Sequence, residues 1–441
     1  MRYRPFPYFT LLTLAVVVTF QTSVPAHDPK PAGTQGRSYA AVAAPDRIAL
    51  TVTDAPATSV SVTWRTAVGI KDPQVEIAEA KADPRFVKDA RRVSAGSIVS
   101  TTLTSENGVA LFHATTIRNL KPNTLYGYRV KGGVWSEWFH FKTASASPEP
   151  FSFLYFGDAQ NDILSLWSRV VRGAHLDAPK ARFMVHAGDL VNLRAGNHDD
   201  EWGEWFDAGR WLFAMTPSLP ATGNHEYTKK LIGDDYEGLS PHWRPQFALP
   251  DNGPAVEDLR GTVYHLDYQG VRFIVLNSNH ALESGSAAAQ AHWMEPLLKN
   301  NPNRWTIAVY HHPMYSVRAG RDNDALRTHW KPLFDKYGVD LALQGHDHAY
   351  GRGFGGRNTT EGAFVRDTAG TVYVVSVSGP KMYDSGVAPW AKRLGENTQL
   401  YQIIHVAGDT LRYESRTAVG DPYDAFRLVK VQGGRSRLIE E

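Results

Sequence analysis

The chain has 441 residues, 42% apolar and 21% charged, which is more than one hydrophobic core usually organises and excludes extensive disorder. A formal net charge of +2 leaves no global basic field, so neither nucleic acid nor an anionic membrane surface is expected as a partner. The absence of cysteine excludes disulfides, thiolate metal sites and cysteine nucleophiles, leaving oxygen and nitrogen donors for any metal centre.

Residues 1–26 read as an export signal: Arg2 and Arg4 supply positive charge, Phe9 to Phe20 is an apolar run, and Ser23-Val24-Pro25-Ala26 ends in a small residue. The run is shorter than the ~18 apolar residues of a spanning helix and is broken by threonines. The mature chain is therefore expected to be soluble, without a transmembrane segment, in the periplasm or outside the cell. Residues 27–45, rich in Pro, Ala, Gly and Ser, read as a flexible lead-in.

From 46 to 145 come short alternating runs, among them Ile48 to Thr53, Ser59 to Arg65, Phe112 to Ile117, Tyr126 to Val130 and Trp138 to Lys142. Turn signals such as Lys121-Pro122-Asn123 separate them, the pattern of a β-sandwich of about a hundred residues, immunoglobulin-like in size. Ala144 to Pro150 marks a boundary. From 146 to 441 apolar strands alternate with helical patterns: strand Phe151 to Phe156, helix Ile163 to Ala174, strand Phe183 to His186, helix Glu201 to Phe213. Further strands are expected at Tyr264 to Tyr268, Phe273 to Asn277, Trp305 to Tyr310, Leu341 to Gln344 and Val372 to Ser376. Tyr401 to Val406 and Thr410 to Ser415 follow with a short connection, as in an antiparallel sheet. This alternation predicts a layered α/β domain. Trp202, Trp205 and Trp211 recur on one helical pattern and read as packing residues.

Polar clusters stand directly after the expected strands: Gly157-Asp158, Gly188-Asp189, Gly223-Asn224-His225-Glu226, His311-His312-Pro313 and Gly345-His346-Asp347-His348. A lone Gly-Asp after a strand is most often a turn, and a lone histidine is more often a hydrogen-bonded residue than a ligand. Together, two carboxylates, an amide and three histidines supply what two hard or borderline divalent ions require.

With these motifs in this order, the sequence resembles the calcineurin-like metallophosphoesterases, within them the purple acid phosphatase branch. Ser61-Val62-Thr63-Trp64-Arg65-Thr66 and the stretch from Leu120-Lys121-Pro122 to Tyr126-Gly127-Tyr128-Arg129 are similar to that branch's fibronectin-type-III-like N-terminal domain. The resemblance implies that this sandwich precedes a four-layer α/β domain, two packed mixed sheets flanked by helices. It further implies a bridging Asp189, with Asp158 and His348 on one metal and Asn224, His311 and His346 on the other. The ions would be divalent or mixed-valence, drawn from Fe, Mn, Zn or Mg. His225 would contact the phosphoryl group or protonate the leaving oxygen. The implied reaction is hydrolysis of phosphomonoesters on a small phosphorylated substrate, by a metal-activated hydroxide attacking phosphorus in line. The same centre serves a phosphodiesterase or a nucleotide-cleaving enzyme, and a degenerate centre would leave an exported adhesion or binding protein.

Two positions depart from the family pattern. Asn192 stands where purple acid phosphatases carry a tyrosine, and Gln160 where many other members carry a histidine. Gln160 and Asn192 are thus candidates for a neutral oxygen ligand, a change that favours Mg²⁺, Mn²⁺, Fe²⁺ or Zn²⁺ over ferric iron. His312, His280 and Tyr350 are candidates for substrate contact.

Overall fold

The structure, a computed structural model, describes residues 38–194, 198–229, 236–358, 364–431 and 434–441. The expected export signal and residues 27–37 of the lead-in lie outside the described residues.

In the N-terminal region, strands Asp46–Thr51, Val60–Ala67, Gly108–Ile117 and Val99–Ser105 form one face of the sandwich. Gln74–Glu79, Leu125–Lys131 and Phe139–Lys142, with the short Arg91–Arg92 at the edge, form the other. Alternation along each strand turns Val62, Trp64, Ile77, Tyr128 and Phe139 into a common core. The Tyr126 hydroxyl accepts the Lys121 N–H at 2.8 Å, pinning the turn that the Lys-Pro-Asn signal announced. Residues 38–45, expected to be the end of a flexible lead-in, are instead held. Gly133 N–H donates to the Ala43 carbonyl and Ala67 N–H to that of Val42, while the Tyr39 ring occupies the space a side chain at Gly203 would need.

The C-terminal region contains two packed sheets. In the first, Phe151–Phe156, Met184–His186 and Ser218–Pro220 run parallel, and Leu400–Ala407, Thr410–Thr417, Pro422–Lys430 and Ser436–Glu440 extend it as an antiparallel meander. In the second, Val271–Val275, Trp305–Val309, Leu341–Gln344 and Val372–Val375 run parallel, with Tyr264–Tyr268, Tyr350–Gly353 and Ala391–Gly395 antiparallel at its flanks. Parallel strands are covered on both faces, which is why every residue of Trp305–Val309 is buried and only Thr306 among them is polar. Phe153, Tyr155, Leu219, Phe273, Ile307, Val374 and Ile404 fill the space between the sheets. Trp167, Val170, Trp202 and Trp205 seal helices Ser168–Asp177 and Asp199–Gly209 onto the outside of the first sheet. Met294, Leu326, Trp330 and Phe334 do the same for the second with helices Ala287–Lys299, Asp324–His329 and Lys331–Tyr337. The result is the expected four-layer order of helix, sheet, sheet, helix. The single helix expected over Glu201 to Phe213 is two, Asp199–Gly209 and Trp211–Met215, because Arg210 adopts φ +43° and breaks the ladder.

The two regions share a sheet. Thr51 pairs in parallel with Ser218, and Val52 N–H donates to the Ser218 carbonyl at 3.1 Å, so the sandwich face and the first C-terminal sheet form one eleven-stranded sheet. Buried charges tie the same joint: Asp199 binds Arg47 at 2.5 Å and Arg65 at 3.2 Å, and Arg65 also binds Asp46 at 2.7 Å. Among the described residues no helix is long and apolar enough to cross a membrane.

Candidate metal centre

In open α/β sheets, ligands collect beyond the carboxyl ends of parallel strands. Here both sheets present those ends to one place. Asp158 follows Phe151–Phe156, Asp189 follows Met184–His186, and Asn224 follows Ser218–Pro220. From the second sheet, His311 follows Trp305–Val309, and His346 and His348 follow Leu341–Gln344. The loops approach so closely that two of the motif glycines are obligatory. A Cβ on Gly345 would lie 2.2 Å from Asp158 Oδ1, and one on Gly188, at φ +89°, would lie 2.5 Å from the Gly223 nitrogen.

Two triads result, Asp189 with His311 and His346, and Asp158 with Asp189 and His348, in each of which the donor atoms lie within 4.8 Å of one another. Asp189 belongs to both. Asn224 Oδ1 adjoins the first triad, 3.2 Å from His311 Nε2. All six side chains that the motifs singled out therefore converge.

The histidine tautomers follow from their outer contacts. His311 Nδ1 lies 2.8 Å from the Ala187 carbonyl and His348 Nδ1 lies 2.9 Å from that of Lys381. A carbonyl only accepts, so each Nδ1 carries the proton and each Nε2 presents a lone pair. Those lone pairs face other acceptors: His311 Nε2 is 3.1 Å from Asp189 Oδ2, and His348 Nε2 is 3.0 Å from Asp158 Oδ2. Acceptors arranged against acceptors require a cation or a proton between them. Buried Asp158 Oδ2, Gln160 Oε1 and Asn192 Oδ1 also have no hydrogen-bond partner, so the donor set fits metal ions.

The local electrostatics agree. Burial opposes charge on His311, yet Asp189 and Asp158 raise it to about 9, a proton standing in for the cation. Burial likewise opposes charge on Asp189, but His311 and His225 hold it well below the usual carboxylate range. His225 is pushed down to about 4 by burial, which outweighs the opposing pull of Asp189 and the Asn192 carbonyl, with Arg194 and Lys381 adding to the shift.

Gln160 and Asn192 lie at this centre. The Gln160 amide nitrogen donates to Asp189 Oδ2 at 2.9 Å and lies 2.8 Å from His348 Nε2, so turning the amide over presents Oε1 to the same place. His225 N–H donates to Asp189 Oδ1 at 2.8 Å, its Nδ1 is bound to the Asn192 carbonyl, and its Nε2 is 3.9 Å from Asp189 Oδ2. The His312 ring packs tilted against that of His346, centroids 4.1 Å apart. The Ser278 hydroxyl accepts the His312 backbone N–H and faces Nδ1, which leaves a ring proton for Nε2. His280 turns to other partners: its backbone N–H donates to the Asn277 side chain at 2.9 Å and its Nε2 lies 3.8 Å from Asp258.

Tyr350 does not line the mouth. Two residues after His348 the chain enters strand Tyr350–Gly353, which turns this ring into the core, where its hydroxyl donates to Asp424 at 2.7 Å. Two residues that the motifs contained without a role matter more. Glu226 is wholly buried and accepts the N–H groups of Asp189, Leu190 and Gly223 at 2.9, 2.8 and 2.6 Å. Asp347 accepts from Ser316, Val317 and Arg321. An acid three places after a motif glycine was the signal for Glu226, as in a capping box; nothing in the sequence marked the partners of Asp347.

Two family models match in tandem, together covering more than half of the chain. Residues 45–143 match the purple acid phosphatase N-terminal domain and residues 151–350 the calcineurin-like phosphoesterase. An uncharacterized protein of Mycobacterium tuberculosis is 28% identical over 377 residues, covering 73% of this chain and 67% of its own. A purple acid phosphatase of Glycine max is 26% identical over 319 residues, covering 70% of this chain and 66% of its own. The Fe(3+)-Zn(2+) purple acid phosphatase 12 of Arabidopsis thaliana is 27% identical over 255 residues, covering 54% of this chain and 52% of its own. Among solved structures, GAP50, the anchor in the inner membrane complex of Plasmodium, gives a TM-score of 0.45 at 12% identity over 65% of this chain and 91% of that one. The chain belongs to the calcineurin-like phosphoesterases, in the branch with a purple acid phosphatase N-terminal domain, and is a metallophosphoesterase.

Proposed function

We propose that this protein is an exported phosphatase that hydrolyses phosphate monoesters at a centre of two metal ions. Asp158, Asp189 and His348 hold one ion, and Asp189, Asn224, His311 and His346 the other. The observation that carries this reading is the membership of Asp189 in both triads, because a shared carboxylate would offset the repulsion between two neighbouring cations. The export reading rests on the sequence of residues 1–26 alone.

Ions held there supply Lewis-acid neutralisation of the phosphoryl oxygens and a hydroxide near neutral pH. The protein supplies orientation and proton traffic. With the His225 Nδ1 proton held on the Asn192 carbonyl, Nε2 stands 3.9 Å from Asp189 Oδ2, and the imidazolium, which burial confines to acid pH, carries there the proton for the leaving oxygen, a contribution of about 10²–10⁴-fold in such positions. His312, its Nδ1 facing Ser278, offers Nε2–H to a phosphoryl oxygen. Gln160 and Asn192 in place of charged or imidazole ligands favour divalent ions over a ferric centre.

The test is turnover of p-nitrophenyl phosphate against bis-p-nitrophenyl phosphate, with added Mn²⁺, Zn²⁺, Fe²⁺ or Mg²⁺ and with chelator. Chelator-sensitive turnover favouring the monoester is expected. Preference for the diester would reassign the protein as a phosphodiesterase, and silence toward both with every metal would leave a binding protein.

A further inference from the structure

Cationic side chains collect on one side of the candidate centre. The Arg318 guanidinium lies 3.9 Å over the Tyr383 ring, and that ring lies 4.5 Å from the ring of His348. Arg321 and Lys381 stand 5.5 and 5.7 Å from the same tyrosine. One aromatic ring in contact with a metal-cage histidine thus gathers three cations.

Their placement is built in. Asp347, wholly buried between His346 and His348, accepts the Ser316 hydroxyl at 2.6 Å, the Val317 N–H at 2.7 Å and Arg321 at 2.8 Å. Arg321 donates in addition to the His346 carbonyl at 2.7 Å. The arginine loop is therefore fastened to the histidine loop. Asp347 balances Arg321, but among the described residues no carboxylate lies within ion-pair distance of the Arg318 guanidinium. Stacking on Tyr383 occupies a face of that guanidinium and leaves the N–H groups around its edge available, a geometry suited to an oxyanion.

We infer that Arg318, with Arg321 and Lys381 around Tyr383, forms a subsite for a second anionic group of the substrate, so that the preferred esters carry a further phosphate near the one hydrolysed. This rests on the phosphoesterase reading above and names the substrate class of that same site. A monoester with a neutral leaving group meets only the metal cage. An ester with a second phosphate also meets a half-buried arginine that otherwise lacks a counter-charge, and an unpaired cation in partly desolvated surroundings gains most from an anion.

The experiment compares kcat/KM for glucose 1,6-bisphosphate and glucose 6-phosphate with the metal-loaded full-length enzyme, at low and high salt, for wild type, Arg318→Gln and Arg318→Lys. The wild-type ratio is expected at roughly tenfold or more, falling as salt screens the contact. Arg318→Gln should lower that ratio about tenfold and Arg318→Lys by less, since charge without the planar fork retains part of the contact. A wild-type ratio no higher than the statistical value of about two, or a ratio that Arg318→Gln leaves unchanged, overturns the subsite. Silence toward both sugars and toward p-nitrophenyl phosphate with every metal overturns the phosphoesterase reading instead.

Discussion

Glu226 reaches Asp189 through the backbone, accepting its N–H at 2.9 Å while the Asp189 carboxylate stays turned toward His311. The acid thereby holds the loops carrying Asp189 and Asn224 together, because the Gly223 N–H converges on the same oxygen. In Glu226→Gln an amide NH₂ must face one of these donors. A loss of about 1–3 kcal/mol, the cost of a buried unsatisfied group, is expected in urea unfolding, together with lower metal content. Unchanged stability and metal content would show that other contacts hold the loops.

Asp189 sits at φ +52°, a conformation that asparagine tolerates. Asp189→Asn keeps an oxygen for the His225 N–H but removes the shared charge. Hydrolysis should fall to background with the circular dichroism spectrum and thermal midpoint close to wild type. A variant that keeps both metals and turnover would remove the bridging role.

Gln160→Ala empties the position beside Asp189 and His348. If the amide oxygen serves as a neutral ligand, chelator competition followed by elemental analysis should show affinity for one of the two ions weakened by roughly 10–100-fold. Equal retention of both ions by variant and wild type would make Gln160 a hydrogen-bonding bystander.

Acid should destabilise the protein through buried histidines that are not among the candidate ligands. His186 is buried against Phe156 and Trp205, and burial pushes it down to about 3; burial also lowers His242 to about 3 and His113 to about 4. A histidine depressed on folding contributes stability that is complete above its ordinary value near 6.5 and is lost as pH falls toward the folded value. Each such group contributes a slope of up to about 1.4 kcal/mol per pH unit in that window. His186→Phe should therefore flatten the dependence of the urea midpoint between pH 7 and pH 5, an effect that a purely packing role would not produce.

At the joint between sandwich and catalytic region, Arg47 and Asp199 are both buried. Asp199→Asn leaves Arg47 and Arg65 short of a counter-charge, and a loss of about 3–5 kcal/mol is expected, read as a lower urea midpoint. A shift below about 1 kcal/mol, the level of an exposed pair, would mean that water reaches the network.

Five of the six candidate ligands were legible because each follows a strand whose apolar run is itself legible, and strand ends are where α/β sheets place ligands; Asn224 follows the three-residue Ser218–Pro220 and was marked only by its Gly-Asn-His-Glu motif. The sequence displayed the sandwich through turn signals and alternation, yet not strand Val99–Ser105, whose residues are polar or exposed except for half-buried Leu103. Tyr350 misled because its neighbour His348 faces the centre, and only the pairing of Tyr350–Gly353 with its neighbours shows the ring turning inward. The break at Arg210 was hidden by a helical pattern that continues on both sides. Asp347 gained its meaning from Ser316, Val317 and Arg321, about thirty residues away in sequence, and no local pattern encodes that distance.

The pairing of Thr51 with Ser218 gives the N-terminal region a task apart from recognition. Without it, Ser218–Pro220 would end the catalytic sheet as an open margin of unpaired amides and carbonyls, the kind of surface on which chains adhere to one another. The sandwich thus acts as a fitted cover, and the price of deleting it should be precipitation before any change in chemistry.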